Sequence, residues 1–76
     1  MQDELKDPLA AFKYDLKAAY AGTNDLEATH ADNIRTIEAW NMYGHITDLQ
    51  VYVLRQYNDY LISSLRVKQA FKDHPL

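Results

Sequence analysis

The chain contains no cysteine, and this absence removes several chemical roles at once. A disulfide, a thiolate metal site and a thiol nucleophile all require that residue. A length of 76 residues predicts one helical domain, 1–76. A single core of that size supplies only about 3–5 kcal/mol of net stability. Small chains without such cross-links often gain stability by associating with themselves or with a partner.

Glycine and proline are also scarce, with two of each in the chain. No linker, internal repeat or low-complexity segment is visible. The glycine-rich loop that cradles phosphate groups is missing, and no serine occupies a nucleophile-elbow pattern. We therefore expect a protein that is not an enzyme and that uses no cofactor.

Long hydrophobic runs and clustered basic residues are missing as well. The uncharged stretches are too short to span a membrane, and no basic start precedes an apolar core as in a secretion signal, which favours a cytoplasmic location. The net charge is −3, with seven acids and three bases in residues 1–32 against four acids and five bases in residues 33–76. Direct binding to nucleic acid needs clustered Lys and Arg, so we do not expect it.

The signals that are present start and stop helices. Gly44 suits the left-handed conformation that ends a helix, and Thr47 with Gln50 has the spacing of a capping box. Ile46 and Val51 occupy the positions of a hydrophobic staple around that cap. These signals predict an all-α fold, a small three-helix bundle with helices at about 8–21, 25–43 and 48–72.

Weaker signals set the other helix ends. Asp7 before Pro8 is a good N-cap for the first helix, and Gly22 is its natural stop. Asn24 with Glu27 three residues later indicates a second capping start.

The predicted third helix is apolar around most of its circumference. We call one side the aromatic seam, which contains Ile46, Leu49, Val53, Tyr57, Tyr60, Val67 and Phe71. The other side is the leucine seam, which contains Val51, Leu54, Leu61, Ile62 and Leu65. We expect the two shorter helices to cover only one broad face of helix three, so that Val51 and Ile62 stay exposed and dimerisation completes the bundle. In the alternative, helix three is central and both seams pack within one copy.

These features predict a protein–protein interaction module, a regulatory or adaptor subunit that binds another protein and itself as a homodimer. The expected contact combines the leucine seam with aromatic anchors, giving Trp40, Tyr43, Val51, Leu54, Tyr57, Leu61, Ile62 and Leu65. An alternative is a phage- or plasmid-encoded inhibitor or immunity-type protein. Its acidic first third would steer it to a basic nucleic-acid groove on a host enzyme. The acids concerned are Asp3, Glu4, Asp7, Asp25, Glu27 and Asp32.

Three sequence patterns are typical of chemical or DNA-binding sites, and each also has a simpler explanation. Glu27 and His30 have the Glu-x-x-His spacing of di-iron helical bundles, so a metal-binding bundle is a second alternative. The simpler explanation makes Glu27 a capping residue and bonds His30 to Asn33, Asn41 or a backbone carbonyl. His45 at the bend would act as a general base only with a partner that orients it. A helix-turn-helix at the Gly44 turn would begin its recognition helix with an acid and hold no base before Arg55, which disfavours DNA reading.

Overall fold

A computed structural model describes residues 7–74 of the protein. Within this range the chain forms three α-helices and no strand: α1 (Ala10–Ala18), α2 (Leu26–Met42) and α3 (Asp48–Asp73). The predicted all-α three-helix bundle is confirmed for these residues, while its completion by a second copy stays a prediction. No helix in this part of the chain is both long and apolar enough to cross a bilayer.

The first helix is shorter than predicted at both ends. The Asp7 side chain accepts a hydrogen bond from the Leu9 backbone N–H at 2.9 Å, so a turn precedes α1 where helix was expected. At the other end, the N–H groups of Tyr20 and Ala21 bond to carbonyls three residues back. This tighter turn leads to Gly22, whose φ of 79° is the predicted stop.

The N-cap of the second helix lies one residue later than predicted. Asp25, not Asn24, is the N-cap, and its carboxylate accepts a hydrogen bond from the Ala28 N–H at 3.1 Å. An aspartate satisfies this free N–H and also complements the positive end of the helix dipole. Glu27 does not complete a capping box, because the third helical position after Asp25 is Ala28; the Glu27 carboxylate accepts instead from Arg66 of α3.

The reversal between α2 and α3 follows the sequence signals closely. Gly44 has a φ of 80°, and the N–H groups of Gly44 and His45 bond back to Asn41 and Trp40, which is a Schellman ending. Three residues later, Thr47 and Gln50 form both hydrogen bonds of the predicted capping box, at 2.9 and 3.2 Å. A Schellman ending and a capping box, both lying between Trp40 and Gln50, therefore define this turn.

The core lies on the side of α3 that faces α1 and α2. Its buried hydrophobic residues are Leu9, Leu16, Tyr20, Ile37, Ile46, Leu54, Leu61 and Ile62. Phe12, Leu26, Trp40, Val51, Tyr57 and Leu65 pack against them. The leucine seam is thus the inner face of α3.

The expected exposure of Val51 and Ile62 is wrong. Ile62 is only 2% exposed, and Val51 is half-buried against the core. The aliphatic side chains of the leucine seam have no polar atom that needs water, whereas each tyrosine on the opposite side keeps its hydroxyl hydrated when it faces out. The two short helices therefore cover the aliphatic side and leave the other side open.

Candidate functional site

The aromatic seam of α3 is largely exposed to solvent. Leu49 is 73% exposed, Tyr60 63% and Phe71 64%. Two members are exceptions, since Ile46 is buried in the core and Tyr57 is half-buried. The prediction that α3 is more apolar than its own chain covers is therefore right for the aromatic seam and wrong for the leucine seam.

The exposed residues form a regular pattern along the helix. Positions separated by alternating steps of four and three residues are all exposed, and two flanking aromatic residues are exposed as well. We call this set the outer stripe: Leu49, Val53, Gln56, Tyr60, Ser63, Val67 and Ala70, with Tyr52 and Phe71 beside them. Alternating steps of four and three are the spacing at which one helix packs along another.

No residue of the outer stripe carries a charge. The stripe runs from Leu49 to Phe71, about 33 Å at 1.5 Å per residue. Seven of its nine residues are apolar or aromatic, and Gln56 and Ser63 are uncharged. A helix face that only meets water normally carries charged side chains, and exposed apolar surface on a small protein usually marks a contact site. The outer stripe is therefore the candidate functional surface.

One border of the stripe is formed by two contacts between α3 and α2, an arginine–glutamate ion pair and a histidine–aspartate hydrogen bond. Arg66 donates to the Glu27 carboxylate, with Nε 2.9 Å from Oε2, and His30 Nε2 lies 2.7 Å from Asp59 Oδ1. His30 thus has an α3 carboxylate as its partner, not Asn33, Asn41 or a carbonyl as expected. Glu27, Asp59 and Arg66 are more than half exposed, whereas the His30 side chain is 23% exposed, so the Glu27–Arg66 pair orients the border more than it stabilises the fold.

The same two contacts occupy the side chains of the possible metal site, Glu27 and His30. Each of the two residues is already bound to a side chain of α3, one to a cation and the other to a carboxylate. Across residues 7–74, no three His, Asp or Glu side chains are gathered as a metal would require. The geometry therefore lends this alternative no support.

The other border of the stripe opens into a groove between α1 and α3. Its volume is about 800 Å³, and Tyr60 and Ser64 lie on its α3 side. Tyr14, Tyr20 and Tyr57 add three more phenol rings, and Lys17 and Lys68 place positive charge at the rim. The Lys13 ammonium lies 5.7 Å from the centre of the Tyr57 ring, which fixes that ring beside the groove.

The eight predicted contact residues occupy very different places. Leu54, Leu61 and Ile62 are core residues, so a partner reaches them only if the bundle opens. Val51, Tyr57, Leu65 and Trp40 are half-buried against the core, and the Trp40 ring meets Phe12 edge-on with centroids 4.7 Å apart. Tyr43 alone among the eight is fully exposed, at 73%.

The acidic residues of the first third are occupied by local partners. The Asp7 carboxylate accepts hydrogen bonds from the Leu9 N–H and from the Lys13 ammonium. The Leu9 N–H is the larger cause that lowers the pKa of this carboxyl. Asp25 caps α2, Glu27 binds Arg66, and Asp32 pairs with Arg35. Asp3 and Glu4 lie outside the described residues. Capping and pairing within the same chain explain these four described acids without a basic target.

The bend residue His45 is exposed, and its ring lies 6.5 Å from that of Tyr43. The nearby carboxylate of Asp48 accepts a hydrogen bond from Asn41 at 3.1 Å. This contact ties the end of α2 to the start of α3 and gives Asp48 a structural task.

Sequence reasoning missed a buried polar cluster formed by Tyr20, Asn33 and Asn58. Asn58 is 0% exposed and Asn33 is 4% exposed, and the amide of Asn33 donates to Asn58 Oδ1 at 3.0 Å. The signal was available, because Asn58 lies four residues after Leu54 and three before Leu61 and so shares the leucine seam. A polar residue on the most apolar face of a helix indicates an internal hydrogen-bond partner.

Comparison of the chain with protein-family models, with curated proteins and with solved structures finds no match to any of them.

Proposed function

We propose that this protein is a protein–protein interaction module, a regulatory or adaptor subunit whose contact surface is the outer stripe of α3. One observation carries the proposal: nine exposed positions over about 33 Å of helix include no charged residue. Burying a surface of that kind in a contact lowers the free energy by about 25 cal/mol for each Å² of apolar area that leaves water.

The structure of α3 suits this task because the helix is already ordered before contact. Its capping box holds the first turn, and one of its sides is packed on the core. A partner that binds a preformed helix face orders only side chains, so less conformational entropy is lost. The tyrosines of the stripe, Tyr52 and Tyr60, combine large contact area with a hydroxyl that bonds at the rim of an interface.

A pair of substitutions on α3 tests the proposal. Val67→Glu puts a charge into the outer stripe at a residue that is 55% exposed, so the core is unaffected. Gln69→Glu adds the same charge at an exposed position off the stripe and is the matched control. Circular dichroism should show the same helix content in both variants and in the wild type.

The three proteins are then immobilised and used to capture binding proteins from cells that express the natural chain. We expect a protein, another chain or a second copy, that binds the wild type and Gln69→Glu and is lost with Val67→Glu. Equal capture by all three proteins would overturn the assignment of the outer stripe.

A further inference from the structure

Large and small side chains occupy positions of the outer stripe that face each other when a second copy of the helix runs in the opposite direction. Tyr60 is large and Ser63 is small, while Val53 near one end corresponds to Ala70 near the other. If the stripe is reversed end for end about a point between residues 61 and 62, Tyr60 comes opposite Ser63 and Val53 comes opposite Ala70. Gln56 comes opposite Val67 in the same register. Two of these three layers, Tyr60 with Ser63 and Val53 with Ala70, therefore set a larger side chain against a smaller one, which favours close packing of two helices.

The charges beside the stripe follow the same reversal. Asp59 and Arg66 lie on the border towards α2, and each is seven residues from the other along the helix. In two antiparallel helices, flanking positions on the same border meet each other, so Asp59 comes beside Arg66 of the second copy, twice. Both side chains are more than half exposed while their α2 partners hold them in place, so each keeps free surface for this contact.

The groove border fits this register too. Tyr57 and Ser64 flank the stripe on the side of α1, and both line the groove. Reversal brings Tyr57 beside Ser64 of the second copy, again a large side chain beside a small one. The Tyr57 ring stays packed against its own core, and the small Ser64 side chain of the second copy leaves room beside the part of that ring that is exposed.

A parallel pairing in register has none of these matches. It places Tyr60 against Tyr60 and Ser63 against Ser63, which crowds one layer and leaves the next one loose. Its flanking contacts join Asp59 to Ser64 and Arg66 to Phe71, so no opposite charges meet.

We infer that the occupant of the outer stripe is a second copy of this chain, whose α3 lies antiparallel to the first in the register that pairs Tyr60 with Ser63. The inference rests on the proposed function and names the partner of the same surface. The two α3 helices form the centre of the dimer, with α1 and α2 of each copy on the outside. Size is complementary across the stripe and on the groove border, and charge is complementary on the border towards α2, which favours the chain itself over an unrelated partner.

The first measurement is the oligomeric state of the whole chain by light scattering over a range of concentrations. We expect a mass of twice 8.8 kDa for the wild type and for Gln69→Glu. Val67→Glu should weaken the association by about tenfold or more, because it puts an unpaired charge into each copy of the interface. A wild type that stays at 8.8 kDa up to millimolar concentration overturns the self-pairing. The capture experiment then still decides whether the stripe binds another protein.

The second measurement is the orientation, for which the absence of native cysteine is convenient. Val53→Cys and Ala70→Cys are prepared separately, oxidised alone and oxidised as an equal mixture. In the inferred register, the two different variants face each other, while identical positions are about 26 Å apart along the axis. A disulfide needs Cα atoms about 4.4–6.8 Å apart, so only the mixture should form a cross-linked dimer.

Cross-linking of each variant with itself would show a parallel pair and overturn the inferred orientation. A dimer that forms no cross-link in the mixture would show that the two copies meet elsewhere, which also overturns the inference. Val53→Cys and Ala70→Cys both replace exposed residues, and an unchanged helix content verifies that each variant is folded.

Discussion

The Tyr20 hydroxyl donates a hydrogen bond to Oδ1 of Asn58 at 2.8 Å, across 38 positions of the chain. The same oxygen accepts a second bond from Asn33 at 3.0 Å, and the Asn58 amide donates to the His30 carbonyl at 3.2 Å. Asn33 also donates to the Leu16 carbonyl of α1 at 3.1 Å. This cluster joins all three helical segments, and within residues 7–74 no buried side-chain polar atom lacks a partner.

The first prediction concerns Asn58. Asn58→Ala leaves the Tyr20 hydroxyl and the His30 carbonyl without their buried partner and also opens a small cavity. We expect the free energy of unfolding to fall by about 2–5 kcal/mol. Urea unfolding followed by circular dichroism at one protein concentration measures the change. Gln69→Ala, on the exposed side of α3, should change it by less than about 0.5 kcal/mol. A similarly small loss in Asn58→Ala would refute the role of the cluster.

The second prediction links Tyr20 to alkaline pH. Burial raises the pKa of the Tyr20 phenol. As the pH rises past about 10, the unfolded chain releases this proton while the folded chain retains it, so stability falls from the unfolded pKa up to the raised folded pKa. At neutral pH, Tyr20→Phe should cost about 0.5–1.5 kcal/mol for the lost hydrogen bond.

The comparison of the two proteins across pH is the measurement. The Phe variant has no phenol to ionise at this position. The difference in unfolding free energy between the wild type and Tyr20→Phe should therefore shrink above about pH 10. Tyr14→Phe, at a 70% exposed site, controls for the loss of a surface phenol. Stability curves for wild type and Tyr20→Phe that stay parallel from pH 7 to 11 would contradict the assignment.

The third prediction concerns Asp7 at acid pH. The Leu9 N–H and then Lys13 hold the pKa of this carboxyl below its usual range. Its contribution to stability is therefore present above the unfolded pKa of about 3.9 and is lost as the pH falls through the lower folded value. Asp7→Asn keeps an oxygen that accepts from Leu9 but has no charge, so its stability should fall less steeply below about pH 4.

Urea midpoints between pH 2 and 7 provide the data for Asp7. Glu38→Gln, on the exposed side of α2, removes one negative charge elsewhere and serves as the control. If Asp7→Asn and the wild type lose stability in parallel as the pH falls, the carboxylate does not contribute in this way.

The fourth prediction tests the turn between α2 and α3. Gly44 has a φ of 80°, and a Cβ placed there would meet no atom within 4 Å. The cost of Gly44→Ala is therefore conformational strain, and we expect about 1 kcal/mol of destabilisation. A synthetic chain with D-alanine at this position has the opposite preference and should be at least as stable as the wild type. Thermal unfolding compares the three, and equal losses for both alanines would point to a steric cause.

Local signals made the helix ends predictable. The caps at Thr47 and Gly44 depend on residues within one turn of each other, so their spacing alone was enough. α1 shows where such signals fail: its tight bonds at Tyr20 and Ala21 use carbonyls three residues back, and no residue type in the sequence requires them.

The side of α3 that faces inwards was not predictable from its apolar residues alone. Both seams are apolar, and the choice depends on which one the other two helices cover. Asn58 would have decided it, because an asparagine with donors and acceptors from α1 and α2 has to lie at their junction. Overlooking this residue placed Ile62 on the surface and left the outer stripe, which includes Tyr60, undervalued.

The direct bond between Asn33 and Asn58 has a consequence for partial unfolding. When α1 detaches, these two amides keep each other as partners, and α2 and α3 remain joined by the closed turn at Gly44. Release of α1 breaks two hydrogen bonds of the cluster, whereas separation of α2 from α3 breaks two others and also the contacts of Glu27 with Arg66 and of His30 with Asp59. Amide hydrogens of α1 should exchange with deuterium ahead of those in the other two helices, which makes its nine residues the first part of the fold to yield.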